Sequence, residues 1–360
     1  MPRIRDFGVT PGNLSPGLLN AITDVKGVRV GHTTVNRDVN GVPWRTGVTV
    51  IWPHMGNPLV DRVYAATFPL NGYGVMTASS IINELGLLDS PIVLTGTNHV
   101  GIVYHWTLQY LYEYMATGNG KIACMPMIAE CDDSYLDGSQ GRAISRDDVY
   151  AALDSASCDT VAEGCVGAGT GLKLFDFKGG IGTSSRLVRV GETYYTVGVL
   201  VLTNFGARYQ LRIDGIPVGK ALEDMVPEVA NDGSCIIVVA TDAPLHPRQC
   251  ERLAKRAAIG LARTGSVARD LSGEMVIAFT TGNSIPGNGE TKINLQALVE
   301  GSPAPGASPL NGLFTGTIEA TEEAIYNALV TANTVTGIHG HILQAISHDR
   351  LRLVLRRSYV

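Results

Sequence analysis

The chain of 360 residues predicts an α/β fold. Two observations carry that expectation. Short apolar, β-branched runs bounded by Gly, Asn and Asp recur along its length, and longer segments with helical apolar spacing separate several of them. Many of the runs are apolar throughout, which predicts strands covered on both faces. Apolar residues make up 45%, charged residues only 17%, and there are 42 glycines, a composition that can bury a core.

In order, residues 27–31 and 47–52 read as strands, followed by 74–78. Residues 79–88 read as a short helix with Ser79 at its start. A strand over 92–95 leads into an aromatic-rich helix over 100–115. Residues 164–182 carry seven glycines (164, 167, 169, 171, 179, 180 and 182), which suits a loop pressed against a site. This loop lacks the Gly-Lys-Ser/Thr of a phosphate-binding loop. Strands over 197–202 and 236–240 follow. Residues 247–264 form the clearest helix, with Asp242 as N-cap, a Leu253/Ala257/Leu261 face and Gly265 as the stop. A strand over 275–280 comes next. Residues 300–309 read as a surface loop or lid, and 321–332 as a helix with Glu322 and Glu323 in its first turn. No internal repeat or linker divides residues 1–360, so one domain is expected.

A net charge of −5 without a basic stripe argues against nucleic-acid or anionic-membrane partners. The first residues lack a signal-peptide core, and no apolar run is long enough to span a bilayer; a cytoplasmic protein is expected. Six cysteines without a CxxC read as small buried hydrophobes in a reducing compartment, and no His near Cys131 or Cys158 suggests zinc.

The most informative segment is Asp232-Gly233-Ser234-Cys235, which opens directly into the apolar run 236–240. A backbone break at Gly233–Ser234 makes Ser234 an N-terminal residue at a strand edge. It then carries both a hydroxyl nucleophile and an α-amine with a pKa of about 7.7–8.0, able to act as its base. Gly-Ser before a strand is also an ordinary turn. Leu271-Ser272-Gly273-Glu274 places a serine and a carboxylate on one face at a strand start, suited to a proton relay or to a solvated turn. Asn204, ending an apolar strand, can donate to an oxyanion or form a turn. Glu130, Asp132, Asp133 and Tyr135 crowd one short loop, where a carboxylate can bind a substrate ammonium. No Gly-x-Ser-x-Gly elbow anchors a conventional triad.

Taken in order, five stretches resemble the L-aminopeptidase D-amidase/D-esterases and β-aminopeptidases. They are Asp24-Val25-Lys26-Gly27-Val28-Arg29-Val30-Gly31-His32-Thr33-Thr34, Leu94-Thr95-Gly96-Thr97-Asn98, Gly167-Ala168-Gly169-Thr170-Gly171, Phe177-Lys178-Gly179-Gly180-Ile181-Gly182-Thr183-Ser184-Ser185-Arg186, and Gly233-Ser234 with Val238-Val239-Ala240-Thr241-Asp242-Ala243-Pro244-Leu245. The resemblance implies a four-layer αββα sandwich like that of N-terminal-nucleophile hydrolases, with different connectivity. It implies a precursor that cleaves itself into 1–233 and 234–360, pieces that stay associated, a homotetramer, and no metal or organic cofactor. By carry-over, Ser234 is the nucleophile, Ser272 and Glu274 tune its amine, and Asn204 forms the oxyanion hole. Tyr135 lines that hole, although Cys131-Asp132-Asp133 departs from the commoner family wording. Glu130 is the candidate for holding the substrate amine. The implied reaction is removal of N-terminal L-, D- or β-amino acyl residues from short peptides, amides or esters. Ornithine acetyltransferases share the broad architecture but carry threonine at the junction, so Ser234 counts against acyl transfer as the alternative.

Overall fold

Strict alternation of apolar side chains along the central strands sorts the chain into layers. The computed structural model describes residues 1–116, 124–224, 226–227, 233–287, 291–301 and 308–357. The strands are β1 (Arg29–Val39), β2 (Val42–Trp52), β3 (Asp61–Gly72), β4 (Leu87–Leu88), β5 (Ile92–Gly96), β6 (Met127–Cys131), β7 (Lys173–Leu174), β8 (Phe177–Lys178), β9 (Ile181–Val190), β10 (Thr193–Asn204), β11 (Gly233–Thr241), β12 (Ser272–Pro286), β13 (Val335–Thr336) and β14 (Ile342–Leu343). The helices are α1 (Ser79–Leu85), α2 (Val100–Tyr114), α3 (Arg146–Asp154), α4 (Val218–Ala221), α5 (Pro247–Arg263), α6 (Leu310–Val330) and α7 (His348–Arg357).

One sheet has the order β1-β2-β5-β6, the other β4-β3-β12-β11-β10-β9. On β11, Ile236, Val238 and Ala240 pack toward the smaller sheet, where they meet Ile51, Leu94 and Ala129. The alternate residues Ile237 and Val239 pack under α5 and α6, against Leu253, Ala257, Ala324 and Leu329. On the far side, Val48, Val50, Trp52 and Ile128 meet Val103 and Leu111 of α2 and Val149 and Leu153 of α3. The result is the expected αββα stack. Its two parallel pairs, β5–β6 and β11–β12, are each bridged by a helical crossover, α2 and α5.

Several boundaries differ from the sequence expectation. Residues 74–78 are not a strand; only Met76 bridges to Ala129, and Ala78 turns into the left-handed region (φ 56°) to start α1. Helix α1 stops early because Gly86 (φ 71°) ends it and Leu87–Leu88 pair with β3. His246 flanks α5 in extended conformation, while Asp242 instead accepts from Thr196 N at 2.7 Å. Helix α6 begins eleven residues earlier than expected, so Glu322 and Glu323 lie mid-helix. There Glu323 pairs with buried Arg186 at 2.7 Å and with Arg5 at 2.7 Å. Strands β3, β6 and β9 and helix α3 were not anticipated. Of the expected 300–309 loop, residues 302–307 lie outside the described residues.

The glycine-rich stretch does not press against the pocket described below. Its Ala168 and Leu172 are buried between the sheets. Close backbone crossings explain the glycines: a Cβ on Gly182 would overlap Ala324 O of α6. Gly182→Ala is therefore expected to destabilise the fold by about 1–3 kcal/mol through overpacking, read as a lower midpoint in urea with an unchanged slope.

Candidate active site

The C-terminal end of β10, the N-terminal ends of β11 and β12, and the loops after β3, β5 and β6 converge on one pocket of about 510 Å³. Tyr73, Val75 and Leu271 give it an apolar rim, and Glu130, Asp132, Asn204 and Ser234 line it. Neither Lys nor Arg is among its lining residues. Among the described residues, the pocket therefore presents two acids without a fixed cation to oppose them.

Ser234 opens β11, directly opposite Asn204 of antiparallel β10 and beside Gly273 of parallel β12. It is buried, and among the described residues its Oγ has no hydrogen-bond partner beyond the weak thiol of Cys131. Native structures rarely leave a buried hydroxyl idle, so this atom is held available. The Cys131 thiol lies beneath it, donating to Leu202 O at 3.6 Å. Burial pushes the thiols of Cys131 and Cys235 well above their usual range, so neither offers a thiolate to rival the hydroxyl.

Asn204 Oδ1 accepts from Lys173 N at 3.3 Å. That bond fixes the amide's orientation and leaves its NH2 for the pocket, the geometry an oxyanion donor needs. On β12, Ser272 Oγ donates to Glu274 Oε1. The same hydroxyl lies 3.2 Å from where a Cβ on Gly233 would sit, so it stands between the carboxylate and the Gly233–Ser234 peptide. Glu274 is buried, its Oε2 has no partner, and burial raises its pKa above the usual carboxylate value.

Glu130, next to last in β6, is held from two sides. Its Oε1 accepts from Val75 N at 2.8 Å and its Oε2 accepts from Thr97 Oγ1. Burial raises its pKa, and these two bonds partly offset the shift.

The structure thus gathers Gly233, Ser234, Ser272, Glu274, Asn204 and Glu130. It does not bring Tyr135 to the pocket. The Tyr135 ring stacks on His341 at 4.4 Å between centroids, against Leu136, Val335 and Leu343. The Asx turn in which Asp132 accepts from Ser134 N at 2.9 Å directs the chain that way. The pocket tyrosine is Tyr73, missed from sequence because it follows a strand that was itself missed. Thr97 and Asn98 were visible only as part of a quoted motif. Four of the six cysteines are buried as expected; Cys158 is exposed and Cys165 half-buried, and none is paired.

The pattern for peptidase family S58 matches residues 20–343. The chain belongs to peptidase family S58. It is accordingly a hydrolase acting on peptide or amide bonds. The β-peptidyl aminopeptidase BapA of Sphingosinicella xenopeptidilytica is 42% identical, covering 99% of this chain and 92% of the relative. Among solved structures, the PH0078 protein from Pyrococcus horikoshii OT3 superposes with a TM-score of 0.92 at 41% identity, covering 99% of each chain. The L-aminopeptidase D-Ala-esterase/amidase of Ochrobactrum anthropi, described as a prototype for the serine aminopeptidases and a new variant of the Ntn hydrolase fold, gives 0.93 at 36% identity, covering 100% of this chain and 99% of its own. This S58 chain shares that layered fold. Among its described residues no helix is long and apolar enough to cross a membrane.

Proposed function

We propose that this S58 peptidase is a self-processing serine aminopeptidase that removes N-terminal L-, D- or β-amino acyl residues from short peptides, amides or esters. The observation that carries the reading is the available Ser234 hydroxyl in a pocket shared with a buried carboxylate, Glu130. The names of the relatives point the same way.

Maturation starts when Ser234 Oγ attacks the Gly233 carbonyl. The C–N bond breaks, an ester forms between Gly233 and Ser234, and the amide nitrogen becomes a free amine. Water then hydrolyses the ester, leaving a Gly233 carboxylate and an N-terminal Ser234. No amine exists before this step, so another group must take the hydroxyl proton; Ser272 and Glu274 flank the junction and supply the relay. The pieces 1–233 and 234–360 stay together because β11 and β12 of the second lie between β3 and β10 of the first. A homotetramer and a cytoplasmic location complete the reading.

In turnover, Glu130 holds the substrate ammonium. Ser234 Oγ attacks the scissile carbonyl while its own amine takes the proton, directly or through Ser272. Asn204 donates to the developing oxyanion. The amine returns the proton to the leaving group, and water releases the acyl-enzyme. Asn204→Ala is expected to lower kcat by about 10²–10³ with little change in KM, measured on an aminoacyl p-nitroanilide. Glu274→Gln is expected to slow the appearance of the 234–360 piece on a denaturing gel; an unchanged time course would remove Glu274 from the relay.

A further inference from the structure

The pocket holds one acid more than the mechanism uses. Glu130 takes the substrate ammonium, and Asp132 has no task in self-cleavage or turnover. Yet Asp132 lines the same cavity of about 510 Å³ as Ser234 and Asn204. It follows Glu130 by two residues, just past the end of β6 at Cys131. The two carboxylates are near enough for the Asp132 charge to oppose ionisation of Glu130.

The two acids are held differently. Glu130 is buried, and both its oxygens are engaged, one by Val75 N and the other by Thr97 Oγ1. Asp132 is exposed. Its Oδ1 accepts from Ser134 N at 2.9 Å, and among the described residues nothing donates to Oδ2. The carboxylate is thus anchored through one oxygen while the other stays uncommitted.

Such a pair is costly for a substrate with a single cation. An ammonium on Glu130 neutralises one acid only. The other stays beside the cavity in which the oxyanion develops, and like charge there raises the barrier. A second cation on the substrate removes that opposition. The exposed side chains of Tyr73, Val75 and Leu271 also line the cavity and offer apolar surface to a chain of methylenes. A long aliphatic side chain that ends in a cation fits both features, because its stem covers apolar surface while its head stays charged.

We infer that Asp132 is a specificity residue that selects substrates whose N-terminal acyl residue carries a second cation, an ammonium or guanidinium of the lysine, ornithine or arginine type. The inference rests on the reading of Ser234 as nucleophile and Glu130 as the holder of the substrate's terminal amine. Glu130 takes that amine and Asp132 takes the side-chain cation. N-terminal residues with acidic side chains should be the poorest substrates, since they bring a further negative charge to two carboxylates.

The test measures kcat/KM of the wild-type protein on lysine and norleucine p-nitroanilides, each in its L-, D- and β-homo form. Alanine p-nitroanilide serves as the reference for activity. Lysine and norleucine share a four-carbon stem and differ by the terminal ammonium. In whichever form is turned over, lysine should be preferred by about 5- to 10-fold or more at low salt. The preference should shrink as NaCl rises from about 0.05 to 0.5 M. In Asp132→Asn the ratio should fall to about 1, and in Asp132→Glu, which keeps the charge, it should stay above that. The ratio is internal to each protein, so slower maturation or partial misfolding lowers both rates and leaves it unmoved. Turnover of alanine or norleucine without a preference for lysine overturns this inference and leaves the proposed function standing. The wild-type comparison decides that point without the variants. A preference that survives in Asp132→Asn overturns the role of Asp132. Inactivity of the wild-type protein toward every one of these anilides overturns the proposed function, and this inference with it.

Discussion

Ser234→Ala is expected to yield one full-length polypeptide with no measurable aminopeptidase activity, a loss of at least about 10⁴-fold in kcat. Both effects have one cause. Alanine removes the only atom that attacks Gly233 during maturation and the substrate carbonyl during turnover. Packing should be little disturbed, because among the described residues the Ser234 hydroxyl has no hydrogen-bond partner beyond the thiol of Cys131 beneath it. The variant should therefore keep its circular dichroism and melt as cooperatively as an uncut precursor. A Ser234→Ala protein that is still cut at 233/234 would show that another group performs the cleavage. Ser234→Cys offers a finer comparison: a thiol at this position retains a nucleophile, so cleavage should persist at an altered rate.

Glu130→Gln should have the second-largest effect, expressed mainly in KM. Glu130 is the buried acid of the pocket, and removing a buried charge partner typically costs about 2–5 kcal/mol, or roughly 30- to 3000-fold in affinity. The loss should fall on substrates with a free amine and spare an ester that lacks one. Gln keeps the shape: its one carbonyl oxygen can accept from Val75 N while its NH2 donates to the Thr97 hydroxyl, which turns to accept, so the fold should survive. The pH dependence has a definite sign. Burial raises the Glu130 pKa, so its carboxyl takes up a proton at a higher pH than an exposed glutamate. Binding of a non-hydrolysed amine should weaken as pH falls through that raised value. In Glu130→Gln the affinity should be low and flat over the same range. An identical pH profile in the two proteins would assign the ammonium to another residue.

Much of this fold was legible because its central strands advertise themselves. Residues 197–202 and 236–240 are apolar on both faces, and a strand buried between a sheet and a helix layer needs nothing else. Strand β3 escaped because it carries exposed and half-buried residues, Asp61, Arg62, Pro69 and Leu70 among them, which blur the pattern at a barely covered edge. The start of α6 was hidden for a different reason. Gly312 and Gly316 look like breakers, yet they let the helix approach Val188, and tertiary packing overrides their propensity. The glycine-rich stretch 164–182 announced close approach correctly, but the partners are β2, β9 and α6 rather than a substrate.

The site divides along the same line. Ser234, Asn204, Ser272 and Glu274 sit at strand termini on adjacent strands, so sequence order and register alone bring them together. Glu130 arrives from the other sheet and needed the layer packing to be placed. Tyr135 was misplaced because a loop's direction depends on turns such as that at Asp132, which period and spacing do not encode. Asp133 looked like one more acid in a solvated loop. Only the structure shows it fully buried.

Intact-mass measurement with N-terminal sequencing of catalytically active wild-type protein bears most directly on the central claim. The account predicts two associated chains, 1–233 and 234–360, the second beginning Ser-Cys-Ile-Ile. Full activity residing in an uncut chain of 360 residues would contradict it, because the hydroxyl would then have no α-amine beside it.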